Sequence, residues 1–137
     1  MEKILAIDDS KLVRDMLKSL LTENQFAVDV AANAEEGLYY ITRNPYDLII
    51  VDYMLPGMNG LQLLTLIKEK KPELPVIILT SKGNEGIAVQ AMKLGAVDYV
   101  VKSSDFILQL PLIIRQAMKT HKEMIQETEF LKKHLSL

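Results

Sequence analysis

The chain has 137 residues, enough for one domain with a sizeable core and no staples, and its 25% charged and 49% hydrophobic content is that of an ordinary soluble globular protein. A formal net charge of −2 gives no general reason to expect direct nucleic-acid binding, and zero cysteines exclude disulfides and thiolate chemistry. The start Met1-Glu2-Lys3 is unlike a signal peptide, and no apolar run approaches the roughly 18 residues of a membrane helix. The expectation is a cytoplasmic protein that does not enter membranes.

In chain order, residues 3–7 predict a short apolar strand ending at Asp8-Asp9. Ser10 is placed to cap a helix whose inward face is Leu12, Val13, Met16, Leu17, Leu20 and Leu21, the spacing of an amphipathic helix. Residues 26–31 carry Asp29 inside an apolar run and read as a strand near a sheet edge. Asn33 with Glu36 has the form of a capping box, and Asn44-Pro45 stops the helix it opens. The next strand, Leu48-Ile49-Ile50-Val51-Asp52, ends in a carboxylate before Pro56-Gly57 turns the chain. A helix from near Gly60 buries Leu61, Leu64 and Ile67 and stops before Pro72. Residues 75–79 form a wholly apolar strand reaching Thr80. A weaker helix over 83–94 has Ile87, Ala91 and Met92 inward and Gly95 at its C-cap, and a fifth strand over 98–101 reaches Lys102. Pro111 argues that 105–110 is a separate turn and that the closing helix starts near Pro111 and runs to about Leu135.

Strands alternating with helices at this spacing predict an α/β fold, a doubly wound parallel sheet covered on both faces. All strands of such a sheet point one way, so Asp8, Asp9, Asp52, Thr80 and Lys102 converge on one edge, where open α/β sheets bind ligands. Three carboxylates brought together repel, by on the order of 4 kcal/mol for a pair about 4 Å apart at an effective dielectric near 20. They must share a proton or bind a cation. With oxygen ligands alone the cation is hard: Mg²⁺, with Mn²⁺ or Ca²⁺ as substitutes. Lys102 and Thr80 complete an anion-neutralising ring around a carboxylate able to attack phosphorus.

These residues, with Pro56-Gly57, Gly60, Gly95-Ala96 and Tyr99 in order, resemble the receiver domain of two-component response regulators, chemotaxis regulators among them, over residues 3 to about 120. The resemblance implies a flavodoxin-like sheet of order 2-1-3-4-5 and a domain at 1–120 with a helical extension at 121–137. It implies that Asp52 accepts a phosphoryl group from a phosphohistidine on a sensor histidine kinase or phosphotransfer protein. It also implies that Asp9, Asp52 and the Met54 carbonyl bind Mg²⁺, with Asp8 acting through water. Lys102 would pair with Asp52 and then with phosphate, while Thr80 and Tyr99 would switch inward and change the surface of the fourth helix, fifth strand and fifth helix. Met54 offers nothing to orient a water, and Lys82 is placed to shield or contact the phosphate, so slow self-dephosphorylation is expected.

Two positions depart from the family pattern. Ser103 stands where a proline usually follows the lysine, leaving either a cis bend or one rebuilt in trans, and Ser81 replaces a small alanine. Leu110, Ile114, Ala117, His121, Met124, Thr128, Leu131 and Leu135 follow the 4-3 seam of a coiled coil, though Ala117, His121 and Thr128 make it poor. One reading packs Ile113, Ile114, Ala117 and Met118 on the domain and leaves a solvated helix from Lys119. The other makes the segment a signalling helix that dimerises or joins a downstream output module. His121 reads as a helix-surface histidine. Rival functions are a haloacid-dehalogenase-like phosphatase, which would want an aspartate at Met54; a nucleotide- or flavin-binding domain, which lacks its Gly-rich loop; and a non-phosphorylated interaction module.

Overall fold

The computed structural model describes residues 1–81 and 83–135. Its elements are β1 (Lys3–Ile7), α1 (Lys11–Glu23), β2 (Ala27–Ala31), α2 (Ala34–Arg43), β3 (Leu48–Asp52), α3 (Gly60–Lys70), β4 (Val76–Thr80), α4 (Glu85–Lys93), β5 (Asp98–Val101) and α5 (Phe106–His134). The strands make one parallel five-stranded sheet of order β2-β1-β3-β4-β5, the flavodoxin-like arrangement with an extended C-terminal helix that the sequence predicts. Among the described residues, no helix is long and apolar enough to cross a membrane.

Side chains of a strand alternate between the two faces of its sheet, and the core divides accordingly. Leu5, Ile7, Ile49, Val51, Val76 and Ile78 pack under α2, α3 and α4 through Ile41, Leu63, Leu64, Ile67 and Ala91. Ile4, Ala6, Leu48, Ile50, Ile77 and Leu79 face the other way, against Leu17 and Leu21 of α1 and Phe106, Leu110, Ile114 and Ala117 of α5. With both faces covered, β3 and β4 are apolar almost throughout. The edge strand β2 tolerates Asp29 because the Tyr46 hydroxyl donates to it at 2.7 Å and the Lys3 ammonium lies 3.4 Å away. Charge on an outer strand also discourages pairing with another chain.

Local signals hold in part. The Val13 N–H donates to Ser10 Oγ, capping α1, and Asn33 Oδ1 takes the Glu36 N–H at 2.8 Å. Glu36 returns its carboxylate to the Ala32 N–H instead of that of Asn33, so only half of that capping box forms. A complete one stands at Asn59 and Gln62, opening α3. Gly95 follows the C-cap of α4 with φ +103°, a conformation that glycine enters without strain.

Three expectations are corrected. Leu12 is 71% exposed and Met92 is 49% exposed, so neither belongs to the inward face assigned to it. At each position the remaining inward residues, Leu17 and Leu21 in α1 and Ala91 in α4, already fill the contact with the sheet. Residues 105–110 are not a separate turn: α5 is continuous from Phe106, with Pro111 inside it. A helix-interior proline costs about 3 kcal/mol, but Phe106 and Leu110 are both buried one turn apart against the sheet and hold that turn in helical register.

Candidate functional site

The β1–α1 turn builds the first part of the site. Asp8 follows β1 with 1% of its surface exposed, Asp9 is exposed beside it, and Ser10 begins the helix. The Ser10 N–H donates to Asp8 Oδ1 at 2.9 Å, and Arg14, one turn into α1, donates to the Asp8 carbonyl at 2.9 Å. These contacts leave Asp8 Oδ2 directed to the neighbouring strand ends.

β3 supplies Asp52 as its final residue, 4% exposed, with its Oδ1 accepting the Met54 N–H at 3.3 Å. The loop after it returns so tightly that the Gly60 N–H donates to the Tyr53 carbonyl at 2.8 Å. A Cβ on Gly60 would lie 2.5 Å from the Asp52 carbonyl oxygen and 2.8 Å from Tyr53 Cα, so only glycine lets α3 begin there. β4 ends in Thr80, fully buried, which is the last residue of the strand rather than the first beyond it. Its carbonyl accepts the Lys102 N–H at 2.7 Å, which draws the residue after β5 toward the same edge.

Asp8, Asp9 and Asp52 each present a carboxylate oxygen within 4.8 Å of the others. The Lys102 ammonium lies between two of them, 2.7 Å from Asp8 Oδ2 and 3.5 Å from Asp52 Oδ1. The sequence expectation paired Lys102 first with Asp52, whereas its shorter contact is with Asp8. Asp52 Oδ1 is already occupied by the Met54 N–H, while Asp8 Oδ2 faces the lysine. Burial, followed by repulsion from Asp8, pushes the Asp52 carboxyl up to about 6; Lys102 and the Met54 N–H pull the other way, and Asp9 adds a smaller upward push. Such a group gains from any added cation, and three oxygen donors of this kind fit a hard divalent ion such as Mg²⁺.

All five strand-end residues named from the sequence thus meet at one edge. Tyr99 in β5 is half-buried against the core on the α2–α4 side. The peptide after Lys102 is not cis, as no cis bond occurs among the described residues. Lys82 lies outside the described residues, and with it the expectation that it shields a phosphate. Sequence reading missed the amide of Ser10 and the guanidinium of Arg14 as supports of Asp8. Ser10 was legible only as a helix cap, and nothing local marks an arginine six residues after an aspartate as its partner.

The family model of the response regulator receiver domain matches residues 4–110. The transcriptional regulatory protein ResD of Bacillus subtilis is 36% identical over 121 residues, covering 86% of this chain and 50% of that protein. The chain spans about half the length of the curated relatives it matches. The crystal structure of a response regulator receiver domain protein from Clostridium thermocellum superposes with a TM-score of 0.83 at 34% identity, covering 90% of this chain and 99% of that one. The response regulator TrrA of Thermotoga maritima, crystallised in complex with Mg(2+)-BeF, superposes with a TM-score of 0.78 at 33% identity, covering 85% of this chain and 99% of that one.

Proposed function

Since the chain belongs to the response regulator receiver family, we propose that it is a phospho-accepting signalling domain whose acceptor is Asp52. The observation that carries this reading is the close approach of Asp8, Asp9 and Asp52 with Lys102 bridging two of them. A carboxylate oxygen of Asp52 attacks the phosphorus of a phosphohistidine on a sensor histidine kinase or phosphotransfer protein. The new O–P bond forms as the P–N bond breaks, and the imidazole leaves with the electron pair and takes up a proton.

Asp9 and Asp52 would hold Mg²⁺, or Mn²⁺ in its place, together with the Met54 carbonyl, and Asp8 would act through water. Bound there, the ion supplies positive charge to the phosphoryl oxygens. Lys102 follows the negative charge as it moves from the carboxylate to those oxygens. Thr80 donates its hydroxyl to one of them, and Tyr99 turns inward with it, changing the face made by α4, β5 and α5. Residues 1–120 form the receiver and 121–137 a C-terminal extension that leads to a downstream output domain or protein or joins a second copy. The site acts in the cytoplasm without direct nucleic-acid or membrane contact. It does not turn over a separate substrate, and its phosphate is lost slowly because Met54 cannot orient a water.

Amide NMR spectra recorded during titration with Mg²⁺ and then beryllofluoride test the reading. Shifts centred on Asp52, Thr80 and Tyr99 in the wild type, absent in Asp52→Asn, are expected. A wild-type spectrum indifferent to both reagents would refute it.

A further inference from the structure

The bend that delivers Lys102 is built by residue 103. The Ser103 N–H donates to the Val101 carbonyl at 2.7 Å. That i to i+2 bond makes Lys102 the central residue of a γ-turn, one of the tightest reversals available to a chain. Immediately before it, the Lys102 N–H is tied to the Thr80 carbonyl at 2.7 Å. The backbone of Lys102 is therefore held on both sides, by the end of β4 and by its own turn.

The same serine fastens the turn to α5. Ser103 Oγ donates to Asp105 Oδ1 at 2.8 Å, and Asp105 Oδ2 accepts Gln109 Nε2 at 3.1 Å. Asp105 consequently does not cap α5 with its side chain. Both its oxygens serve the Ser103–Gln109 link, while buried Phe106 and Leu110 press the first turn of α5 onto the sheet. The Lys102 side chain leaves this fixed turn with 14% of its surface exposed and ends on Asp8 at 2.7 Å, with Asp52 at 3.5 Å.

We propose that Ser103 is a positioning residue for the phosphorylation reaction: its amide closes the turn that aims the Lys102 ammonium between Asp8 and Asp52, and its hydroxyl anchors that turn to α5. A side chain as long as lysine reaches the acidic cluster from many backbone conformations, and only a fixed starting point selects one of them. Glycine or alanine at 103 keeps the N–H. The amide of residue 103 is the determinant, and the serine hydroxyl reinforces it.

This inference rests on the phospho-acceptor reading, so its test has one readout that needs neither metal nor phosphate. The test variant replaces the 102–103 amide by an ester through the α-hydroxy analogue of serine, removing the N–H alone. Ser103→Gly is the comparison that keeps the N–H and removes the hydroxyl. In metal-free protein at low temperature, the Lys102 ammonium gives an ¹H–¹⁵N NMR signal protected by Asp8, assigned by its loss in Lys102→Ala. The signal is expected in wild type and Ser103→Gly and lost in the ester protein. With Mg²⁺ and radiolabelled acetyl phosphate, whose acetate leaves as phosphorus bonds to Asp52, the saturating rate should fall at least about tenfold in the ester protein, because small misplacements of a reacting group are costly. The half-saturating donor concentration should stay near the wild-type value, and Ser103→Gly, which loses only the hydroxyl anchor, should slow less than the ester protein does. A protected ammonium signal or a wild-type rate in the ester protein overturns the proposal. A wild type that shows the ammonium signal yet never takes up label overturns the phospho-acceptor reading instead.

Discussion

At the residue scale, Asp52 carries a measurable electrostatic cost in the metal-free protein. Its carboxyl titrates at about 6 rather than 3.8, chiefly because it is buried and secondly because Asp8 is beside it. A carboxyl raised in the folded state contributes stability that is present below its ordinary value and lost as the pH rises through the folded value. Metal-free protein should thus lose stability between about pH 4 and 7 through this residue. Asp52→Asn should be more stable than wild type by ~1–3 kcal/mol at pH 7.5, since a tenfold difference in proton affinity between folded and unfolded chains is worth about 1.4 kcal/mol. The difference should vanish near pH 4. Urea denaturation of both proteins in chelator at the two pH values checks it, and saturating Mg²⁺ should shrink the gap at pH 7.5 by binding wild type more tightly.

At the scale of elements, two places are sensitive: the close approach at the start of α3 and the proline inside α5. Gly60→Ala would press a methyl group into the Asp52 carbonyl and the Tyr53 backbone, which belong to the acceptor strand and its exit. A loss of about 1–3 kcal/mol is expected, with weaker Mg²⁺ binding as the Asp52 end of β3 shifts; denaturation midpoints and calorimetric titration measure the two. Pro111 leaves the Ile107 carbonyl without its helical donor inside α5. Pro111→Ala should restore that bond and raise stability by about 1–3 kcal/mol, seen as a higher urea midpoint at unchanged slope. The break expected at Pro111 shows how a sound local rule is overruled. Backbone chemistry disfavours proline there, but Phe106 and Leu110 make tertiary contacts that no local window contains.

At the scale of the whole molecule, burial along α5 stops well before the helix does. The last buried residue of α5 is Ala117, and His121 makes a late contact, with the Glu73 carbonyl; from Lys122 to Leu135 only Ile125 is half-buried and the other residues are exposed. Removing residues 127–137 should change stability by less than about 1 kcal/mol, since exposed helix contributes little, and should leave the beryllofluoride response intact. Light scattering of full and shortened chains, each with and without beryllofluoride, decides whether the extension pairs with a second copy. A monomer in all four samples removes that part of the proposal.

Much of this protein is determined by its sequence alone. Five apolar strands alternating with amphipathic helices admit few arrangements, and the parallel sheet that results brings Asp8, Asp9, Asp52, Thr80 and Lys102 to one edge whatever the details of the loops. Strand ends are local features, and chain direction does the rest. What the tertiary structure decided is the pairing within that edge: Lys102 nearer Asp8 than Asp52, Arg14 on the Asp8 carbonyl, and Ser103 closing the turn beneath the lysine. The physical reason is one of distance. Periodicity places a residue on an edge to within several ångströms, whereas a hydrogen bond or ion pair is settled over less than one, by backbone turns and buried neighbours far away in the chain.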